Sequence, residues 1–126
     1  ITSAADSSTR VIFTRIGARD PNCNLRGDQG MMLRRSAAST VFATVIESHG
    51  TFEPVNEISS GATGRVNDVR VLASTGEGAI VEISGKDSLH WIFAVTNKEA
   101  STDSQHSISV SGKTYSWKGN HKIWKN

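Results

Sequence analysis

The side chains in this sequence best suited to proton transfer or nucleophilic attack are four histidines, one cysteine and one tyrosine. None of His49, His90, His106 and His121 lies two to four residues from another or from Cys23. The ligand spacing of a zinc module is therefore absent, although strand partners can still converge in space. His90 sits beside Trp91 in the most apolar run and reads as a satisfied, half-buried histidine. His106 and His121 adjoin turn residues and are expected on the surface. His49 differs: it ends an apolar strand, opens a long polar loop and has Glu47 and Glu53 nearby. Strand ends commonly display functional side chains. Nucleophile signatures fail: there is no G-x-S-x-G, and Cys23 has no histidine close in sequence. The run GATGR at 61–65 is not followed by a helical pattern, which argues against a phosphate cradle. Glu53 and Glu57 form a carboxylate pair whose ordinary reading is solvation.

The last cluster is cationic. Residues 113–125 hold four lysines and no acid, interleaved with Tyr115, Trp117 and Trp124. One reading is a polyanion face with stacking rings. The other, which is favoured, is a solvated edge hairpin whose lysines discourage edge-to-edge pairing.

These groups must be positioned by strands. Residues 11–16 alternate and are rich in β-branched side chains, as a half-buried strand requires. Residues 17–30 hold glycine, proline, asparagine and aspartate in loop proportions. A short strand is expected at 31–35. A stronger one is expected at 40–48, apolar on both faces and so central in a sheet. Residues 49–66 form a polar connection longer than ordinary loops. Strands follow at 68–74 and 79–84 as a hairpin across a glycine turn, then at 89–95, the most apolar run and so expected to be central in a sheet. The end of the chain pairs 106–110 with 114–117 across Ser-Gly-Lys, turns at Gly119-Asn120 and closes with 121–124. Eight or nine short strands with no sustained helical period predict an all-β, antiparallel β-sandwich.

Composition bounds the rest. With 126 residues, 37% apolar, 21% charged and a net charge of +2, the chain is expected to form one β-sandwich domain over 1–126. No apolar run approaches the roughly 20 residues of a membrane span, and the small net charge argues against nucleic acid. The first residue is Ile1, and the opening ten residues lack the apolar core of a signal peptide. The chain is read as a piece of something longer.

The run RVIFTRIGARDPNCNLRGDQGMMLRR, followed by TVFATVIESHGTFEPVNE, resembles the C-terminal part of polysaccharide lyase family 17. These are the oligoalginate lyases of the heparinase II/III-like group. The residues that carry the resemblance are Gly17, Ala18, Asp20, Pro21, Asn24, Leu25 and Arg26, then Leu33 and Arg34, then Glu47, His49 and Gly50. The terminal TYSWKGNHKIW hairpin is similar to the family's ending. Cys23 departs from the pattern, where an aromatic residue is expected.

The resemblance implies an enzyme with an N-terminal α/α toroid followed by a large antiparallel β region. It would degrade alginate oligomers by β-elimination, outside the cytoplasm, in the periplasm or beyond. In that family the catalytic groups and structural zinc ligands lie upstream, so this chain is expected to hold neither catalytic residues nor metal, to need no cofactor and to be inactive alone. Its partners would be alginate oligosaccharide and the parent's toroid and β region, and a homodimer stays open. Its part would be to complete the β region and wall the substrate pocket. His49, Glu53, Asn56 and Glu57 in the long loop are the substrate-facing candidates, the acids bonding sugar hydroxyls and repelling carboxylates beyond the pocket end. In the first loop Arg26 could hold a carboxylate through two bonds, against a reading of that loop as an internally paired turn. The alternative function is a stand-alone carbohydrate-binding β-sandwich for anionic polysaccharide, using the basic aromatic hairpin.

Overall fold

A computed structural model describes residues 1–17, 27–98 and 101–125. Their regular structure is entirely strand: β1 Thr2–Ser3, β2 Arg10–Gly17, β3 Gly27–Arg34, β4 Thr44–Val45, β5 Thr51–Glu53, β6 Ile58–Ser60, β7 Val66–Ser74, β8 Gly78–Gly85, β9 His90–Thr96, β10 Gln105–Val110, β11 Lys113–Lys118 and β12 His121–Lys125. All pairings are antiparallel. The fold is all-β and sandwich-like, as expected.

The chain divides into two compact units. The larger comprises Ile1–Ala4 and Val41–Asn126. Its centre is a four-stranded sheet in the order β12-β9-β8-β7. Alternation along β8 and β9 sends Ile80, Ile92 and Ala94 to one face, where Ile108, Tyr115 and Trp117 of the β10–β11 hairpin cover them. Val69 and Val81 point to the other face and pack with Ala4, Ala43, Val45, Ile83 and Phe93. Strand β7 serves both cores because of a bulge. Val71 opposes Val81 and Ala73 opposes Ile80, leaving Leu72 as the extra residue. Val71 therefore faces one core, and Leu72 and Ala73 the other. The β10–β11 turn has Ser111 at φ 50° and Gly112 at φ 78°. Two successive positive φ values make the tight turn whose twist matches a hairpin.

The smaller unit, Ala5–Thr40, is built on the β2–β3 hairpin, paired from Arg10–Arg34 to Gly17–Gly27. Arg35 fastens its open end. The guanidinium donates to Thr9 Oγ1 at 2.7 Å and Thr40 Oγ1 at 3.0 Å and lies 3.4 Å from Asp6 Oδ2.

Two strand expectations need correction. The run 40–48 is not a central strand: Thr44–Val45 pairs with Thr2–Ser3, and the rest is irregular. Ala43 and Val45 lie on the sheet as a cover, while Phe42 and Ile46 are exposed. Alternating apolarity reports which side chains are buried, not whether the backbone has a ladder partner. Strand β3 also begins earlier than expected, at Gly27, because residues 27–30 pair with 14–17. Within 49–66 a small hairpin, β5–β6, shortens the irregular connection.

Candidate functional site

The long connection keeps its two ends together through Glu47. Its carboxylate accepts the backbone N–H of Arg65 at 2.9 Å and of Val66 at 3.1 Å. His49 turns to the same place: a methyl group on Gly64 would lie 3.0 Å from Glu47 Oε2 and 3.6 Å from His49 Nε2. Glycine leaves room there for the ends of the two side chains, and a larger residue would require the Glu47 carboxylate to shift slightly. The Arg65 amide above all holds the Glu47 carboxyl below its ordinary value, with help from the Val66 amide and the charge of His49. The structure thus brings Glu47, His49 and Arg65 into one cluster.

The β5–β6 hairpin carries the other loop candidates. Glu53 accepts the N–H groups of Val55 at 3.1 Å and Asn56 at 3.2 Å, and also the Asn56 side-chain amide. These bonds pin the turn, so Glu53 and Asn56 face each other before either meets a ligand. Glu57 adopts φ 54°, a left-handed conformation that closes the same turn. Beside them Phe52, Val55 and Ile58 are exposed, giving the hairpin an apolar surface next to its carboxylates. Arg26 lies outside the described residues.

A second polar group is one that sequence reasoning did not single out. Glu82 of β8 stands directly opposite Arg70 of β7 in the sheet register. It accepts from Arg70 Nη2 at 2.5 Å and pairs with His90 Nε2 at 2.9 Å, and Arg70 Nε lies 3.2 Å from Asp68. The His90 bond chiefly, then the charge and bond of Arg70, hold the Glu82 carboxyl below its ordinary value despite partial burial. The expectation of a satisfied, half-buried His90 holds. A cross-strand match of Arg70 with Glu82 through the glycine turn was the available signal.

His106 was expected on the surface and is instead buried. It stacks on Trp117 with ring centroids 5.3 Å apart, and its Nδ1 is 3.7 Å from Glu77 Oε2. The reason is register: His106, Ile108 and Val110 share the inward face of β10.

The basic hairpin also differs from an open aromatic platform. Trp117 is 2% exposed and Tyr115 8%, because both rings complete the core. What remains is a cleft of about 300 Å³ lined by Ile92, Lys113, Thr114, Tyr115, Ser116 and Trp124. Tyr115 and Trp124 meet edge to face at 5.7 Å. The Lys113 ammonium lies 5.0 Å from the Tyr115 ring centre, and that of Lys122 lies 5.1 Å from the Trp124 ring centre. The sheet pattern explains the backbone in the wall. Val110 and Lys113 close a two-residue turn as a hydrogen-bonded pair. Thr114 and Ser116 then occupy the alternate positions, whose N–H and C=O groups point away from β10 to the outer edge of β11.

No family model matches the chain. It is 29% identical over 120 residues to an exo-oligoalginate lyase of Saccharophagus degradans, a match that covers 94% of this chain and 16% of that protein. It is 27% identical over 118 residues to an alginate lyase of Stenotrophomonas maltophilia, covering 93% of this chain and 16% of that protein. The chain is thus similar to alginate lyases along nearly its whole extent, and it spans about a sixth of the length of these relatives.

Proposed function

We propose that this chain is the C-terminal β segment of a lyase that degrades alginate oligomers by β-elimination. In this reading it completes the β region of the parent enzyme and walls the substrate pocket without supplying the catalytic groups. The observation that carries the reading is the similarity to two alginate lyases over at least 93% of this chain but only 16% of theirs. The chemistry of the described residues supports it. Elimination requires a base, an acid and a carboxylate neutraliser within reach of one sugar. The sole tyrosine, Tyr115, packs its ring into the core, and His90 is tied to Glu82.

The pocket wall would be the loop from His49 to Arg65. His49, held near Glu47, would present a donor, while Glu53, Asn56 and Glu57 would meet sugar hydroxyls and turn away further carboxylates. Arg26 would grip a uronate carboxylate. Export to the periplasm or beyond belongs to the same reading, since a polymeric substrate is met there.

The test follows the ultraviolet absorbance of the unsaturated sugar product. The 126-residue chain incubated with alginate oligomers is expected to produce no rise above buffer. A full-length enzyme of this kind carrying the chain is expected to turn over and to lose turnover when the segment is deleted. A rise from the chain alone would overturn the proposal, because a complete site would then exist among these residues.

A further inference from the structure

We propose that the cleft between β11 and β12 is a binding site for a carboxylate-bearing sugar. Three features converge there. The first is charge: Lys113 lines the cleft, Lys122 lies over the ring of the wall residue Trp124, and residues 113–125 contain no acid to neutralise them. The described lysine of this stretch that does have an acidic partner, Lys118, pairs with Asp103 at 2.6 Å and is absent from the cleft wall.

The second is a strip of backbone donors. Strand β11 is hydrogen-bonded to β10 alone among the described strands. The amides of Thr114 and Ser116 therefore point from its free edge into the cleft, spaced as alternate residues of a strand. A carboxylate set against this edge would accept from an amide while an ammonium closes over it, and charge-assisted bonds of this kind are the strong ones.

The third is the aromatic wall. Trp124 is half-buried and presents part of its ring to the cleft, with Tyr115 edge-on behind it. A pyranose ring has apolar C–H faces and needs such a surface. A simple inorganic anion does not. The lysine heads already over the rings can swing to a ligand carboxylate while their stems remain on the aromatic surface. A neighbouring β-strand is the poorer occupant, since lysines along an edge oppose strand addition.

The cleft stands on its own chemistry as a site for an acidic sugar. That the sugar is a uronate of alginate rests on the function proposed above. Isotope-labelled chain titrated with oligomannuronate and oligoguluronate is expected to show saturable shifts at the Thr114 and Ser116 amides and the Trp124 indole. Lys113→Gln with Lys122→Gln is expected to weaken binding roughly 5-fold or more, and added salt to weaken it further. These exposed substitutions avoid the risk that Trp124→Ala disturbs the core, and Trp124→Phe serves as the aromatic control. Neutral cello-oligosaccharides are expected to leave the same signals in place.

Absence of shifts with every acidic sugar would overturn the site, as would equal response to the neutral sugar. An equal response to inorganic phosphate would also overturn it, by reducing it to an anion patch. Shifts along all of β11 that grow with protein concentration would mark strand pairing and overturn it too. Binding of a different acidic sugar in preference to both uronates would keep the site and remove its link to alginate. The lyase reading fails separately, in the absorbance assay.

Discussion

Among single residues, Glu47 carries the clearest consequence. Its carboxylate draws the Arg65 and Val66 amides back to the end of the strand-like run that precedes the long connection. A carboxyl held below its ordinary value binds fewer protons in the folded chain than in the unfolded one. The stability it contributes is complete above the ordinary carboxylate range, about pH 4–4.5, and is lost as pH falls through the lower folded value. Glu77, held down chiefly by its bond to Lys98, and Glu82, held down chiefly by His90, act in the same direction. Acid unfolding should therefore steepen below that range, and Glu47→Gln should flatten the lowest part of the profile. In the same variant, amide exchange at Arg65 and Val66 should accelerate more than exchange in β8. Unchanged exchange at both amides would show that Glu47 does not hold the connection. His49 and Glu47 were visible in the sequence as neighbours at a strand end. What sequence could not supply was the other half of the cluster, because Gly64 and Arg65 approach only after the intervening hairpin folds back. Arg70 and Glu82 were missed for a similar reason, each being an ordinary charge until register sets them opposite.

At the level of elements, the β10–β11 hairpin shows what local sequence can encode. Ser-Gly-Lys between two alternating runs indicates a turn, and the turn forms on Ser111 and Gly112 alone, both at positive φ, with Lys113 already paired to Val110. Gly112 suits this conformation and Ser111 does so poorly, since a β-carbon is crowded there. Asparagine tolerates it better, so Ser111→Asn should stabilise the hairpin by about 0.5 kcal/mol and raise Tm by roughly 2–4 °C. A fall in Tm would mean that the serine makes a contact the turn geometry does not reveal. The pairing of β7 with β8 and the central place of β9 were equally legible, because turn residues and continuous apolar runs are local signals. The run 40–48 was not, because its partner strand is only two residues long and comes from the chain start. His106 was misplaced by its nearness to a loop, although the alternation His106, Ile108, Val110 contained the correct face.

For the whole molecule, stability should be unevenly distributed. Strands β8 and β9 lie between two cores, and Ala79, Ile80 and Ala94 are fully buried. The β2–β3 hairpin is a ribbon of two strands with Val11, Ile12, Phe13, Met31 and Met32 exposed, Phe13 at 81%. A two-stranded ribbon is marginal by itself, and its amides open without unfolding anything else. Native-state hydrogen exchange should therefore find the slowest amides in β8 and β9, with β2 and β3 faster by about 100-fold or more. Ile80→Ala separates local from global opening. Removing this buried side chain should cost about 2–5 kcal/mol and speed exchange in β8 and β9 accordingly. Exchange in β2 and β3 should stay where it was, because those amides already open by a route that does not involve Ile80. Equal protection in both hairpins, or equal acceleration by Ile80→Ala, would instead require one cooperative unit. The apolar side chains of β2 and β3 would then have to contribute to the same unfolding step as the central sheet.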